Sequence, residues 1–354
     1  MSQELNLPAK EAKLKAWLRT KLPQAEDLSI SPLQGQASGF SSETYFFELQ
    51  WLQNGEKKVE NLVLRQSPAR FQLFPEYKLE LQYRVMRHLE GSGVPVPKMY
   101  WFEEGKKVLG TPFFIMGKVE GEVCSDYPPG IHGHGLFYEA TPERRRELWW
   151  RAVEVMAKIH SLDWKTLGLS FPGVPEGGTD AIDRQIAVME RWLEYGARES
   201  LPVLRAGFDW VKKNRFDPSR VCLCWGDPRP SNLIYRDDKV VAVLDWEMAH
   251  IGPPEFDLAY FLFCDEVSSQ STGIPRLQGL PGEKEIIRYY EGLTGRKVEN
   301  FFYHQVFQAL RWAVLLVLGA KNIAERGMPG FPPDLATNNF GYRKLAELLE
   351  IRQS

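Results

Sequence analysis

The periodicity of apolar residues changes character once along this 354-residue chain, and that change constrains the fold more than any other feature. From Leu28 to Met116 apolar residues come in short runs of strand length. Leu28-Ser-Ile-Ser-Pro-Leu33 leads through the small-residue segment Gly35-Gln-Ala-Ser-Gly39 to the run Thr44-Tyr-Phe-Phe-Glu-Leu49, and Leu62-Val-Leu-Arg65 follows the dipeptide Asn54-Gly55. Asn-Gly between two such runs predicts a hairpin, because both residues tolerate the positive φ of a tight turn. Two more strand-like runs, Lys98 to Phe102 and Pro112 to Met116, flank a glycine-containing turn. One helix interrupts them over Leu79 to Glu90, with Leu79, Gln82, Met86 and Leu89 on one face. This region reads as a small sheet of about five strands with one helix.

Beyond Gly117-Lys-Val-Glu-Gly121 the pattern becomes long and helical. Thr141-Pro142-Glu143 supplies a capping hydroxyl, a proline at the first helical position and an early acid. Leu148, Ala152, Val155, Met156 and Ile159 then form a buried stripe. The expected class is α+β in two lobes: residues 1–116 as a small β-rich lobe with one main helix, 117–121 as a hinge linker, and 122–354 as a larger, mostly helical lobe.

Composition narrows the function. The formal net charge is −2 and no long Lys/Arg cluster occurs, which argues against a nucleic-acid partner. Met1 to Lys15 lacks the continuous apolar stretch of a secretion signal. Ala313 to Ala320, bounded by Arg311 and Lys321, is too short to cross a bilayer and reads as a buried helix, so no membrane is expected. Cys124, Cys222, Cys224 and Cys264 are too few for a disulfide framework, and Cys222-Leu-Cys224 has the wrong spacing for a zinc knuckle. They read as reduced core residues of a cytoplasmic protein. No protein partner is readable.

The chemistry concentrates between Val221 and Asp245. Val221-Cys-Leu-Cys224 is a short apolar run that stops at Trp225-Gly226-Asp227. Leu233-Ile-Tyr235 resumes a strand, Arg236-Asp-Asp-Lys239 makes a polar turn, and Val240 to Leu244 returns before Asp245. Such a hairpin presents Asp227, Asn232 and Asp245 at one edge. Two carboxylates and a carboxamide suit a hard cation that keeps waters and shares phosphate oxygens, as magnesium does. Phosphoryl transfer to an alcohol also needs a group that orients the hydroxyl and accepts its proton. This assigns Asp227 as base and Asn232 and Asp245 as magnesium ligands.

Asp227-Pro-Arg-Pro-Ser-Asn232 with a downstream Asp resembles the catalytic loop of the protein-kinase-like fold. Gly226-Asp227, Leu244-Asp245-Trp246 and Gly252-Pro-Pro-Glu-Phe-Asp257-Leu-Ala259 are similar to the aminoglycoside phosphotransferase and choline kinase branch. The likeness covers about residues 28 to 325, and it is nearest to the phosphotransferase-like domain fused to some acyl-CoA dehydrogenases. It implies ATP as phosphoryl donor, with magnesium, and a small-molecule hydroxyl as acceptor. By position it implies that Arg229 faces the transferred phosphoryl group and that Asp257 anchors the catalytic loop. It also implies nucleotide contacts from the 35–42 loop, including Gly39 and Ser41, from Arg65 and Gln82, and from the linker backbone, including Gly117 and Val119.

Three positions depart from that branch: Trp225 replaces the usual His, Arg65 the Lys, and Gln82 the Glu. An indole at 225 is expected to alter mainly the packing of the loop, and Arg65 keeps a positive charge in a different geometry. These departures leave room for a nucleotide-binding scaffold without transfer, although Asp227, Asn232 and Asp245 are all retained. Among acceptors, aminoglycosides require an acidic wall, and candidate acids such as Asp265-Glu266 are few. The likeness points instead to hydroxy acids or their CoA esters. Elsewhere, His160 reads as a packed or capping residue, His132 and His134 as part of a mobile surface loop, and Arg144 to Arg146 as a solvated helix face.

Overall fold

In the computed structural model, described over residues 6–35, 42–68, 72–76, 78–125, 129–197, 200–328 and 332–351, the backbone divides into two compact units. The first comprises Met1–Arg87 and Pro97–Val119, and the second His88–Val96 and Glu120–Ser354. The change of unit at Val119 and Glu120 falls inside the 117–121 segment. The segment 88–96, read from sequence as part of the small lobe, belongs to the second unit. One tie that holds it there is Val243 N–H donating to the Pro95 carbonyl at 2.8 Å.

The first unit is a six-stranded antiparallel sheet. Its strands are β1 (Glu26–Ile30), β2 (Gln34–Gly35), β3 (Glu43–Gln53), β4 (Glu56–Gln66), β5 (Met99–Glu103) and β6 (Phe113–Gly117). Their order is β1-β3-β4-β6-β5, and β2 also pairs with β3. Asn54 and Gly55 close the β3–β4 hairpin with φ of 53° and 77°, the conformation that makes Asn-Gly the expected pair. Two helices accompany the sheet, against the one expected: α1 (Leu7–Lys21) and α2 (Leu79–Leu89). The Asn6 side chain caps α1 by accepting from Ala9 N–H at 3.0 Å, and Leu14, Trp17 and Leu18 bury one face among Leu28, Phe47, Leu62 and Phe113.

The second unit carries a three-stranded sheet in the order β10 (Lys239–Val243), β9 (Leu233–Arg236), β7 (Glu122–Val123), and a two-stranded pair, β8 (Cys222–Cys224) with β11 (His250–Gly252). Its helices are α3 (Leu136–Glu139), α4 (Pro142–Ser161), α5 (Asp180–Gly196), α6 (Pro202–Lys213), α7 (Glu255–Glu266), α8 (Glu283–Thr294), α9 (Phe301–Arg326) and α10 (Phe340–Leu348). Thr141 caps α4 as its sequence predicts, and the stripe from Leu148 to Ile159 is buried. The 26-residue α9 is long and apolar enough to cross a membrane, but 67% of its most apolar window is buried inside the protein, where it packs among α5, α6, α7 and α10.

The structure corrects two surface readings. Arg145 is buried, donating to the Phe137 carbonyl at 2.7 Å and the Ala140 carbonyl at 2.8 Å, whereas Arg144 on the same helix is exposed. His132 is buried within 3.2 Å of Asp265, so only His134 of that loop is exposed.

Candidate active site

Asp227, Arg229 and Asn232 come together at the turn between β8 and β9. Asp227 Oδ2 accepts from Arg229 Nη2 at 2.9 Å and from Asn232 Nδ2 at 2.8 Å. Asn232 Nδ2 also donates to the Asp227 carbonyl at 3.0 Å. A single 3-10 turn, Pro230–Asn232, produces this closeness: Asn232 N–H returns to the Arg229 carbonyl, and the two flanking prolines fix φ through the bend. Asp227 is 4% exposed, while the Arg229 side chain keeps 26% of its surface.

Asp245 follows β10 with a φ of 59°, a left-handed conformation that costs an ordinary residue about 1–2 kcal/mol. Leu244, immediately before it, is pinned on both sides. Its N–H donates to the Asn232 carbonyl at 2.8 Å, and its carbonyl accepts from Trp225 Nε1 at 2.7 Å. Trp225 therefore does more than alter packing: its indole ties the start of the loop to the residue before Asp245. With Nδ2 of Asn232 engaged by Asp227, the Asn232 amide oxygen and the Asp245 carboxylate are hard oxygen donors, on segments joined by the Leu244–Asn232 backbone bond, and their chemistry fits magnesium.

The loop is held from beneath by Asp257 at the start of α7. This fully buried carboxylate accepts from Trp225 N–H at 2.6 Å, Gly226 N–H at 3.0 Å and His160 Nε2 at 3.0 Å. Burial pushes its carboxyl up, but the His160 hydrogen bond and charge, with the Gly226 N–H, outweigh burial and hold it below the usual Asp value. Tyr290 supports His160 in turn, its hydroxyl 2.7 Å from Nδ1. On the other side of the same residue, Arg311 of α9 donates to the Gly226 carbonyl at 2.7 Å and stacks its guanidinium over Tyr260, 4.9 Å from the ring centroid. Sequence reasoning assigned Arg311 no task; the signal was a cation inside an otherwise apolar helical stretch. Gly226 itself has φ of 92°, and a Cβ there would lie 2.2 Å from the Met248 carbonyl oxygen.

The remaining expected residues lie in the first unit. Arg65 is on β4, opposite Thr44 of β3 and Phe114 of β6, and its Nε donates to Ser42 Oγ at 2.9 Å. Gln82 is buried on the inward face of α2, 1% exposed. Gly117 ends β6 with its N–H on the Lys98 carbonyl at 2.8 Å, and Val119 is the last residue of the unit. Gly39 and Ser41 lie outside the described residues.

The model of the phosphotransferase enzyme family matches residues 33–291. The chain belongs to that family. Acyl-CoA dehydrogenase family member 11 of Rattus norvegicus is 28% identical over 78% of the chain, and family member 10 of Mus musculus 29% identical over the same share. The chain spans only 34% and 25% of the lengths of these two relatives. Among solved structures, a Ralstonia eutropha protein assigned to the aminoglycoside phosphotransferases superposes with a TM-score of 0.68 at 26% identity, each chain covered to 96%. The aminoglycoside phosphotransferase APH(4)-Ia, in ternary complex with ADP and hygromycin B, shares the fold at a TM-score of 0.58 and 14% identity, with 97% of this chain covered and 99% of that one. This phosphotransferase-family chain thus has the protein-kinase-like fold expected from sequence, with a small antiparallel-sheet unit and a larger helical one.

Proposed function

We propose that this family member is an ATP- and magnesium-dependent kinase that transfers the γ-phosphoryl group to a hydroxyl of a small molecule. One observation carries the reading: Asp227, Arg229 and Asn232 are fastened to one another, and Asn232 to the residue before Asp245, within hydrogen-bond distance. Asp227 orients the acceptor hydroxyl and takes its proton as the oxygen bonds to the γ-phosphorus and the bond to the ADP oxygen breaks. Such transfer depends on positioning and charge stabilisation more than on strong basicity, so a carboxylate shared with Arg229 and Asn232 is adequate. Asn232 and Asp245 would hold magnesium, which neutralises phosphate charge when bound. Arg229, partly exposed, is placed to stabilise the charge of the transferred group. In the first unit Arg65 keeps a cation where the family carries Lys.

The acceptor we propose is a hydroxy acid or a hydroxyacyl-CoA ester. Asp265 and Glu266, candidates for an acidic wall, line a cavity of about 610 Å³, but both are paired. Asp265 accepts from Arg276 at 2.6 Å, and Glu266 lies 3.3 Å from Lys344. Acids neutralised in this way do not attract a polycation, which counts against aminoglycosides. The likeness to acyl-CoA dehydrogenase family members supports the CoA-linked alternative.

The test is ADP release with ATP and magnesium across hydroxy acids, hydroxyacyl-CoA esters, choline, sugars and aminoglycosides. Acceptor-dependent release that vanishes in Asp227→Asn is expected. Release unchanged in that variant would remove Asp227 as base, and activity confined to aminoglycosides would remove the acceptor assignment. Tight magnesium-dependent ATP binding with no turnover on any alcohol would favour the scaffold reading.

A further inference from the structure

Strand β8 is fully buried, and the alternation of side chains along a strand puts Cys222 and Cys224 on one face with Leu223 on the other. His160, from the last turn of α4, meets that face: one imidazole nitrogen and both sulfurs lie within 4.8 Å of one another, in residues without solvent exposure. We propose that His160, Cys222 and Cys224 form a binding site for a thiophilic divalent cation, Zn2+, at the back of the Trp225–Asn232 loop. This site is independent of the kinase reading.

The donor set decides the ion. Two sulfurs and an imidazole nitrogen are soft ligands that select zinc over magnesium or calcium. Charge separates zinc from Cu+. Two thiolates and a neutral imidazole cancel a dication, whereas a monocation would leave uncompensated negative charge where no solvent reaches. Zn–S bonds of about 2.3 Å and Zn–N bonds of about 2.0 Å place tetrahedral ligand atoms about 3.5–3.8 Å apart. Closing the cluster from 4.8 Å therefore takes about 1 Å of side-chain movement.

The surroundings suit such an ion. His160 already donates Nε2–H to the Asp257 carboxylate, the outer partner that fixes the ring and tautomer of a metal-binding imidazole. Nδ1 then becomes the ligand, exchanging its contact with the Tyr290 hydroxyl for the metal. Tyr290, whose hydroxyl meets Nδ1, also lines a cavity of about 210 Å³ with Arg220 and Glu255, so open space lies one residue from the proposed site. Binding deprotonates both thiols and takes the imidazole in its neutral form, so at least two protons leave for each Zn2+ bound. The spacing of Cys222 and Cys224 excludes a zinc knuckle built from local sequence alone; the third ligand comes from another element.

Cd2+, which shares zinc's affinity for sulfur and gives thiolate-to-metal charge-transfer absorption in the ultraviolet, is the probe. It is added to the folded 354-residue chain and, separately, supplied during refolding from urea. We expect saturation at one Cd2+ per chain, release of at least two protons, displacement by Zn2+, and loss of the band in both Cys222→Ser and Cys224→Val. Valine is a strand former of similar size, so Cys224→Val keeps the test valid should the serine variant fold poorly. A double Cys124→Ser, Cys264→Ser variant keeps the band and shows a higher melting temperature with Zn2+; Cys224→Val shows no such rise. Absence of the band in both protocols, or its survival in Cys222→Ser and Cys224→Val, overturns the proposal.

Discussion

Replacing Asp257 by Asn preserves shape and removes charge, and the geometry fixes what that costs. Oδ2 accepts from Trp225 N–H and His160 Nε2, and Oδ1 from Gly226 N–H. An asparagine has one acceptor oxygen, so in either orientation its NH2 faces at least one N–H donor in a fully buried site. The least costly choice points the NH2 at Gly226. That arrangement loses one charge-assisted bond, about 1.5–3 kcal/mol, and leaves a buried N–H unpaired, about 1–3 kcal/mol more. The bonds from Trp225 and His160 survive as weaker, neutral ones. Together these come to about 2.5–6 kcal/mol, a span that brackets the cost of removing one partner of a buried pair, and Asp257→Asn is expected to destabilise the second unit by about 3–5 kcal/mol.

The assay combines chemical denaturation with hydrogen exchange. Exchange at the Trp225 and Gly226 amides should accelerate by about a hundredfold to several thousandfold, since each 1.4 kcal/mol is tenfold. Ser42 and Arg65 lie in the other unit, so ATP binding, which the proposed function assigns in part to that unit, should survive while phosphoryl transfer falls. A loss of less than about 1 kcal/mol, with exchange at the two amides unchanged, would refute the reasoning that Asp257 holds the loop through its backbone.

Other perturbations follow from the same geometry. Gly226→Ala forces a Cβ to 2.2 Å from the Met248 oxygen and adds about 1–2 kcal/mol of left-handed strain, so a markedly lower melting temperature and lost transfer are expected. Arg311→Met leaves the buried Gly226 carbonyl without its charged donor and should cost about 1.5–3 kcal/mol in denaturation, with no recovery in Arg311→Leu. His304 is lowered to about 3 by burial among Phe216, Phe256 and Tyr303. Its neutral form is favoured in the folded state, so stability present above pH 6.5 is lost as pH falls toward 3, amounting to about 2 kcal/mol by pH 5. His304→Leu should make the acid limb of a stability-against-pH curve shallower by that amount, leaving the contribution of His250, which burial first and then Arg311 lower to about 4.

Local chemistry made the hairpins and the catalytic turn legible. Asn54-Gly55 accepts positive φ at both positions, and Asp237 and Asp238 do the same in the β9–β10 turn, with φ of 51° and 56°. Thr141-Pro142 marks a helix start wherever it occurs on a polar background. The N-terminal α1 was harder to read, because its buried face is narrow: Leu14, Trp17 and Leu18 sit among lysines, and Lys10 is drawn inward by Glu43 and Tyr45 rather than by its own hydropathy. Arg145 misled for the opposite reason. Its neighbours in sequence are charged, but the carbonyls it satisfies belong to the chain around α3, and no window along the helix reveals them.

The same distinction governs the site. Asp227, Asn232 and Asp245 are recognisable because the sequence pattern they match specifies residue types and spacing. The groups that aim them are prescribed only by geometry, since they act on backbone atoms: Asp257 and Arg311 grip the N–H and the carbonyl of Gly226, and Trp225 grips the Leu244 carbonyl. A backbone partner asks of a side chain a donor or acceptor at the right distance, and several residue types can supply it. At position 225 an indole N–H supplies it, to the Leu244 carbonyl. By this argument, if the chain is the kinase proposed above, the departure at Trp225 bears less on transfer than those at Arg65 and Gln82, where charge itself changes geometry or is lost.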